Sequence, residues 1–351
     1  MYIISYSRTS IVIQIQIERK QVMKSPFTGK EMSRVWEKRT WEFRGEKFDY
    51  MHMAWLCEDT GESFTTDESD TASYIQVTNQ YRAKYGIPYT DEIVEIRNRY
   101  GLSAAKISQL LGIGINQYRK YEQGEVPSVS NGRLIRSIMN PKVMLDMIES
   151  AQKELEEKEY KKLTQRIKAI IENNDSYKMQ QYETNRIFCS TRSYENGYAA
   201  ISLDKLKNVM IAILERSKEV WCTKMNKLLF YVDFLSYRER GMSMTGLTYR
   251  AIDYGPVPEK WNKVYSQFDD IQQVLQQIGN YEGTILQTKS HIDNEVLTEE
   301  EIKIIDIVCN KFGNYSSQAI STISHEESAW KNHYQQAERI PFCEAYNLVS
   351  L

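Results

Sequence analysis

The sequence predicts a mainly α (α+β) chain: a small β-rich N-terminal ribbon, a helix-turn-helix domain, a helical linker and a mostly helical C-terminal domain. Three observations carry that reading. Apolar residues at helical spacing, bracketed by Ser or Thr caps and glycine stops, recur from residue 76 onward. Residues 1–75 are aromatic, alternate like strands and are short of helix signals. The 351 residues are 41% hydrophobic and 26% charged, ordinary for a soluble globular protein and enough for two or three domains. No internal repeat is present.

Composition narrows the function classes. A net charge of −2 gives no overall attraction for nucleic acid, so any DNA-binding unit must concentrate its positive charge locally. The cysteines, at 57, 189, 222, 309 and 343, are odd in number and include no CxxC pair, which points to a reducing compartment rather than a disulfide framework. No stretch approaches the roughly 20 apolar residues of a membrane helix. The opening segment alternates over Ile11-Val12-Ile13-Gln14-Ile15-Gln16-Ile17 and lacks a cleavage site, so it is a poor signal peptide. The expected location is the cytoplasm.

In order, residues 1–22 form an extension without an assigned role, and 23–75 a small β domain. Residues 76–141 form the helix-turn-helix domain, 142–199 a linker and 200–351 the C-terminal domain. The linker carries Lys153-Glu154-Leu155-Glu156-Glu157-Lys158-Glu159, a charge run expected on a long solvated helix, and is broken at Asn173-Asn174-Asp175-Ser176.

Within the second domain, Thr90 can cap a helix running to Tyr100, and Gly101 stops it. Ser103 caps the next, whose stripe is Ile107, Leu110 and Leu111. Gly112-Ile113-Gly114 makes a short turn into a third helix, Ile115 to Glu122, closed at Gly124. Two short helices joined by a tight glycine turn are the helix-turn-helix signature, and the second of the pair lies in the major groove. Asn116 and Lys120 are four apart and share a face; Asn can pair with adenine and Lys can reach guanine. Gln117 and Arg119 flank them, with Arg119 expected on a phosphate; Ser103 and Lys106 are further contact candidates, while Tyr118 and Tyr121 pack inward. Between Arg97 and Lys142 there are eight Lys or Arg against two Glu, the local excess that phosphate neutralisation requires.

The run Leu102-Ser103 … Leu110-Leu111-Gly112 … Tyr121-Glu122-Gln123-Gly124-Glu125-Val126-Pro127-Ser128 resembles Cro/CI-like (Xre-like) repressors, and more closely the DNA-binding domain of MqsA/HigA-type antitoxins. The resemblance implies base reading at Asn116 and Lys120, operator DNA as a partner, and a homodimer on paired half-sites. Ala104 stands where many of these repressors carry Gln, which removes one expected contact.

Upstream, Lys24 to Met32 and Leu56 to Glu62 look like the two knuckles of a small zinc ribbon, as often precedes the DNA-binding unit in MqsA-like antitoxins. The four metal positions read Ser25, Thr28, Cys57 and Thr60. One thiol and three hydroxyls are a poor zinc set, and adding His52 still leaves two ligands, so the β-fold is expected without metal or other cofactor.

The C-terminal section opens on a helix, Thr223 to Tyr237, whose apolar face includes Leu228, Tyr231 and Leu235. A loop follows over 241–246, then an extended segment ending in Tyr254-Gly255-Pro256-Val257-Pro258; Thr298 and Glu301 make a capping box, and Ser324-His325-Glu326-Glu327-Ser328-Ala329-Trp330 stands near the end. These runs, with Ser243-x-Thr245-Gly246-x-x-Tyr249, resemble the Panacea (SocA-like) antitoxin domain over roughly 200–345; Ser328 replaces the usual Pro. The resemblance implies an antitoxin that neutralises a cognate toxin encoded beside it. Tyr254, Gly255, Pro256, His325 and Trp330 are the candidate toxin contacts. No catalytic residue is expected: Ser324, His325 and Glu326 are consecutive and cannot converge as a triad, although His325 and Asp233 could meet in space, and no oxyanion-hole or nucleotide signature accompanies them. Two function classes follow. One is an antitoxin that represses its own operon. The alternative is a stand-alone transcriptional regulator whose C-terminal domain senses a ligand.

Overall fold

The computed structural model describes residues 23–173, 184–185, 187–188, 191–278, 281–293 and 295–351. The expected extension at 1–22 and most of the stretch 174–190 lie outside them. The chain is mainly helical, and its three small sheets among the described residues are all antiparallel.

Strands β1 (Ser33–Phe43) and β2 (Glu46–Leu56) form a hairpin in register Ser33↔Leu56 to Phe43↔Glu46, and β3 (Ser63–Phe64) adds to β2. The connection Arg44-Gly45 takes positive φ at both residues, the turn whose twist matches that of the paired strands. Helix α1 (Asp67–Tyr85) starts at a Thr66/Ser69 capping box and lies on β2, burying Val77 and Tyr81 against Phe48. Gln76 clasps the Met51 backbone from both sides, donating to its carbonyl at 2.9 Å and accepting from its N–H at 3.0 Å. The expected boundary at 75/76 therefore runs through the middle of α1, which belongs with the sheet.

Six helices follow: α2 (Thr90–Tyr100), α3 (Ala104–Leu111), α4 (Gln117–Glu122), α5 (Val129–Ser137), α6 (Pro141–Ser150) and α7 (Glu157–Glu172). They share one core containing Ile93, Ile107, Tyr118, Ile135, Ile148 and Ile167. Over the described residues, the solvated helix expected in the linker that starts at 142 is a different object. A turn around Gln152–Glu154 splits it, and α7 folds back so that Leu163 and Ile167 enter the core. The charge density of 153–159 conceals an apolar stripe four residues apart on α7.

The C-terminal region is built around α9 (Cys222–Arg240), in which every residue from Lys224 to Arg238 is buried. A helix buried all round must be covered on all sides. The cover includes α8 (Leu203–Arg216), the hairpin β4 (Tyr249–Ile252) and β5 (Gly255–Pro258), α11 (Glu299–Phe312), α12 (Ser317–Glu326) and the turn Phe342–Asn347; α10 (Trp261–Tyr265) and the hairpin β6 (Ile271–Ile278) and β7 (Tyr281–Thr288) come between β5 and α11, and α13 (Ser328–Lys331) follows α12. Phe230 and Phe234 are wholly buried, each contributing about 1.5–3 kcal/mol by removal from water. Arg192 grips Asp91 with two 2.7 Å bonds, and Arg34 reaches Glu239, so the N-terminal parts are tied to this region. No helix among the described residues is long and apolar enough to cross a membrane.

Candidate functional site

Helix α9 positions the chemistry of the C-terminal region. Asp233, wholly buried, accepts from the backbone N–H of Met244 (2.9 Å) and Thr245 (2.7 Å), from the Thr245 hydroxyl, and from Tyr249 (2.6 Å). Burial pushes its carboxyl up, and the hydrogen bonds from Thr245 and Tyr249 pull it back down. The loop from Ser243 to Tyr249 is thus folded around one carboxylate. Tyr231, two residues before Asp233 on α9, donates to Glu327 (3.1 Å), whose oxygens also take the N–H groups of Val349 and Ser350. Tyr265 donates to Asn226.

The β4–β5 hairpin closes over the same helix. Its connection is Asp253-Tyr254, and Tyr254 at the tip is 73% exposed. Gly255 has φ +96, and a Cβ there would sit 2.6 Å from Ser324 Oγ and 2.7 Å from Lys227 Cε, so only glycine fits. Trp330 donates its indole N–H to Ile252 O (2.8 Å) and is stacked between His325 (4.2 Å between centroids) and Tyr334 (4.3 Å). Burial and the charge of Lys227 lower the His325 pKa, against a backbone hydrogen bond with Tyr254 that raises it.

Of the five candidate toxin contacts, Tyr254 is exposed, His325 and Trp330 are half-buried, and Gly255 and Pro256 are buried and shape the turn. All five belong to one neighbourhood. Asp233 is bonded to Thr245 and Tyr249, not to His325. Lys227, which carries no role in the sequence reading, is wholly buried, and burial lowers its amine from 10.5 to about 7. Its position four residues before Tyr231, on the apolar stripe, is the signal that could have found it.

Residues 225–331 match a family model described as antitoxin SocA-like, Panacea domain. Over these residues the chain is similar to Panacea (SocA-like) antitoxin domains. No curated protein and no solved structure matches the chain. The Panacea match runs from the first turn of α9 through α13, and so takes in Lys227, Asp233, the hairpin turn and His325. It leaves α1–α7 and the N-terminal sheet uncovered.

Outside the matched residues, α3 and α4 present the second candidate surface. Ser103 caps α3, accepting from Lys106 N–H at 3.1 Å, and Gly112 ends it in the left-handed conformation. Ser108 Oγ accepts from Tyr118 N–H (3.0 Å), and the Tyr118 hydroxyl donates to Ile93 O (2.8 Å), which fixes α4 against α2 and α3. Tyr118 and Tyr121 are buried. Asn116, Arg119 and Lys120 are exposed together, with Ile115 beside them at 71%. Gln117 is bonded to Glu125 (2.8 Å), and Lys106 is drawn to Glu159 of α7 (2.8 Å) and Gln109 (2.9 Å). Those two contact candidates are held by neighbours within the chain. Ile115 is the residue here that sequence reasoning passed over.

In the N-terminal part, two turns bring the expected metal positions together. Gly29 N–H bonds Ser25 O and Gly61 N–H bonds Cys57 O, each at 2.8 Å, and Thr28 Oγ1 lies 3.7 Å from Cys57 Sγ. Hydrogen bonds from the Ser25 and Thr60 hydroxyls lower the Cys57 thiol to about 6. His52 faces Ser73 (3.4 Å). Among the described residues no three His, Cys, Asp or Glu side chains converge on a metal position.

Proposed function

We propose that this chain is the antitoxin of a toxin–antitoxin pair, neutralising its cognate toxin through the Panacea domain and repressing its own operon through α3–α4. The single observation that carries the reading is the Panacea match over 225–331. The exposed hairpin tip at Tyr254, flanked by His325 and Trp330, supports a toxin-facing surface there, since large aromatics beside a rigid turn are typical anchors of protein interfaces. DNA binding draws support from the exposed face of Asn116, Arg119 and Lys120 and from the local positive excess. The operator would be read by a homodimer whose two α4 helices sit one helical turn apart. His325 acts here in recognition rather than catalysis, because the Asp233 carboxylate that could have oriented it is committed to Thr245 and Tyr249.

Co-expression with the product of the adjacent gene tests the first half: growth rescued by the parent chain and lost with Tyr254→Ala and Trp330→Ala supports it, and no toxicity from that gene sinks it. Promoter-shift assays test the second: Asn116→Ala with Lys120→Ala abolishes the shift while neutralisation persists. A second reading, a stand-alone regulator that senses a ligand, draws on a cleft of about 1480 Å³ lined by Asn79, Arg82, Asn98, Arg166 and Met242. An operator affinity that shifts with a metabolite and is indifferent to any neighbouring gene product would favour it.

A further inference from the structure

Three buried polar atoms on α9 and α12 have no hydrogen-bond partner among the described residues: Lys227 Nζ, His325 Nε2 and Ser321 Oγ. Lys227 is wholly buried, and its amine is directed at the turn, 3.1 Å from where a Cβ on Gly255 would be. Ser321 and His325 stand one helical turn apart on the same side of α12. Burial acts on Lys227 with no carboxylate to offset it. The acids nearby are committed elsewhere: Glu327 to Tyr231, Val349 and Ser350, Glu326 to Lys331, and Asp253 to Tyr334. A buried amine with no counter-ion, beside an imidazole and a hydroxyl that can both donate, is an arrangement short of one negative group.

We propose that Lys227, His325 and Ser321 form a receptor for a single oxyanion group, a carboxylate or a phosphate, admitted beneath the Asp253-Tyr254 turn. The ammonium of Lys227 supplies the charge; the bound anion draws a proton onto His325, so that Nε2–H donates alongside the Ser321 hydroxyl. Lysine binds such groups as a point charge, so its contribution does not depend on the planar geometry that arginine demands. Displacing a two-residue hairpin connection opens the way in without disturbing the Asp233 network, which holds the other end of β4. The site stands independently of the antitoxin reading, because a small anion can be bound whether or not a toxin is.

Calorimetric titration of the full chain tests this at pH 6, with sodium phosphate in one arm, sodium acetate in the other, and sodium chloride of matched ionic strength as reference. Saturable binding is expected in at least one arm; binding in the phosphate arm alone assigns a phosphate ligand, and in the acetate arm alone a carboxylate. Lys227→Met weakens it by at least about tenfold, and His325→Phe, which keeps the stack on Trp330, by several-fold. No heat beyond chloride in either arm overturns the proposal. So does binding left unchanged by both variants, which would mean an adventitious ion only. Should Lys227→Met fail to fold, His325→Phe decides alone, and unchanged binding in it overturns the site.

Discussion

Replacing Lys227 with Met should stabilise the protein, and by an amount that depends on pH. The native amine titrates at about 7 rather than 10.5 because burial disfavours its charged form. Below pH 7 the lysine is protonated in both native and unfolded states, and the native state bears the full desolvation penalty, about 5 kcal/mol from the size of that drop. Between about pH 7 and 10.5 the unfolded chain still holds a proton that the native state has released, so stability rises with pH through this window. Methionine fills nearly the same volume and has nothing to desolvate. The variant is therefore expected to exceed the parent by about 2–5 kcal/mol at pH 6, and its advantage to shrink by about 3 kcal/mol at pH 9. Calorimetric melting in chloride buffers without carboxylate or phosphate reads this directly, at about 2–4 °C per kcal/mol for a region of this size. Glu326, Lys331 and Asp253 are present in both proteins, while His325, whose pKa the Lys227 charge helps to lower, is relieved in the variant and adds to its advantage at acid pH. A variant less stable than the parent at pH 6, or a difference independent of pH, refutes the reasoning: the amine would then be making a favourable contact that the geometry lacks.

Other expectations are as direct. Gly255→Ala forces a side chain onto Ser324 and Lys227 at positive φ and should lower stability by roughly 2–4 kcal/mol, measured by urea unfolding; a loss below about 0.5 kcal/mol would show that the turn is not the fixed element described. Asp233→Asn removes a charged acceptor from four donors and should cost about 2–4 kcal/mol, with exchange protection lost first at the Met244 and Thr245 amides. Asn116→Ala should weaken operator binding by about 1–3 kcal/mol and relax one base position, whereas Arg119→Ala should weaken all sequences alike and flatten the salt dependence, both read by fluorescence anisotropy. Combining Ser25→Cys, Thr28→Cys and Thr60→Cys with the native Cys57 should create a tetrahedral zinc site, seen as one equivalent of metal retained and a higher melting temperature; a triple variant that retains no zinc would mean the two turns are wrongly spaced for it.

The local rules carried the short elements well. Gly101 and Gly112 end their helices in the left-handed conformation, Ser103 caps α3, and Thr298 with Glu301 closes a capping box on α11, all from adjacent residues. The inward turn of Tyr118 and Tyr121 followed from spacing on one short helix. What could not be read depends on partners distant in sequence. Leu163 and Ile167 are in a core only because α7 folds back over α6 and α2. Lys106 is drawn to Glu159 from 53 positions away, so its charge is partly offset within the chain. Lys227 sits within a recognisable motif, yet nothing local says that its amine lacks a counter-ion, because that is a property of every element packed around α9.

The hairpin turn over α9 has a consequence for how this surface can vary among relatives. Position 255 admits no side chain, whereas the neighbouring tip at 254 projects into solvent. The scaffold is therefore a fixed socket with an interchangeable bit: substitutions at the tip can change the exposed surface without retooling the helix beneath.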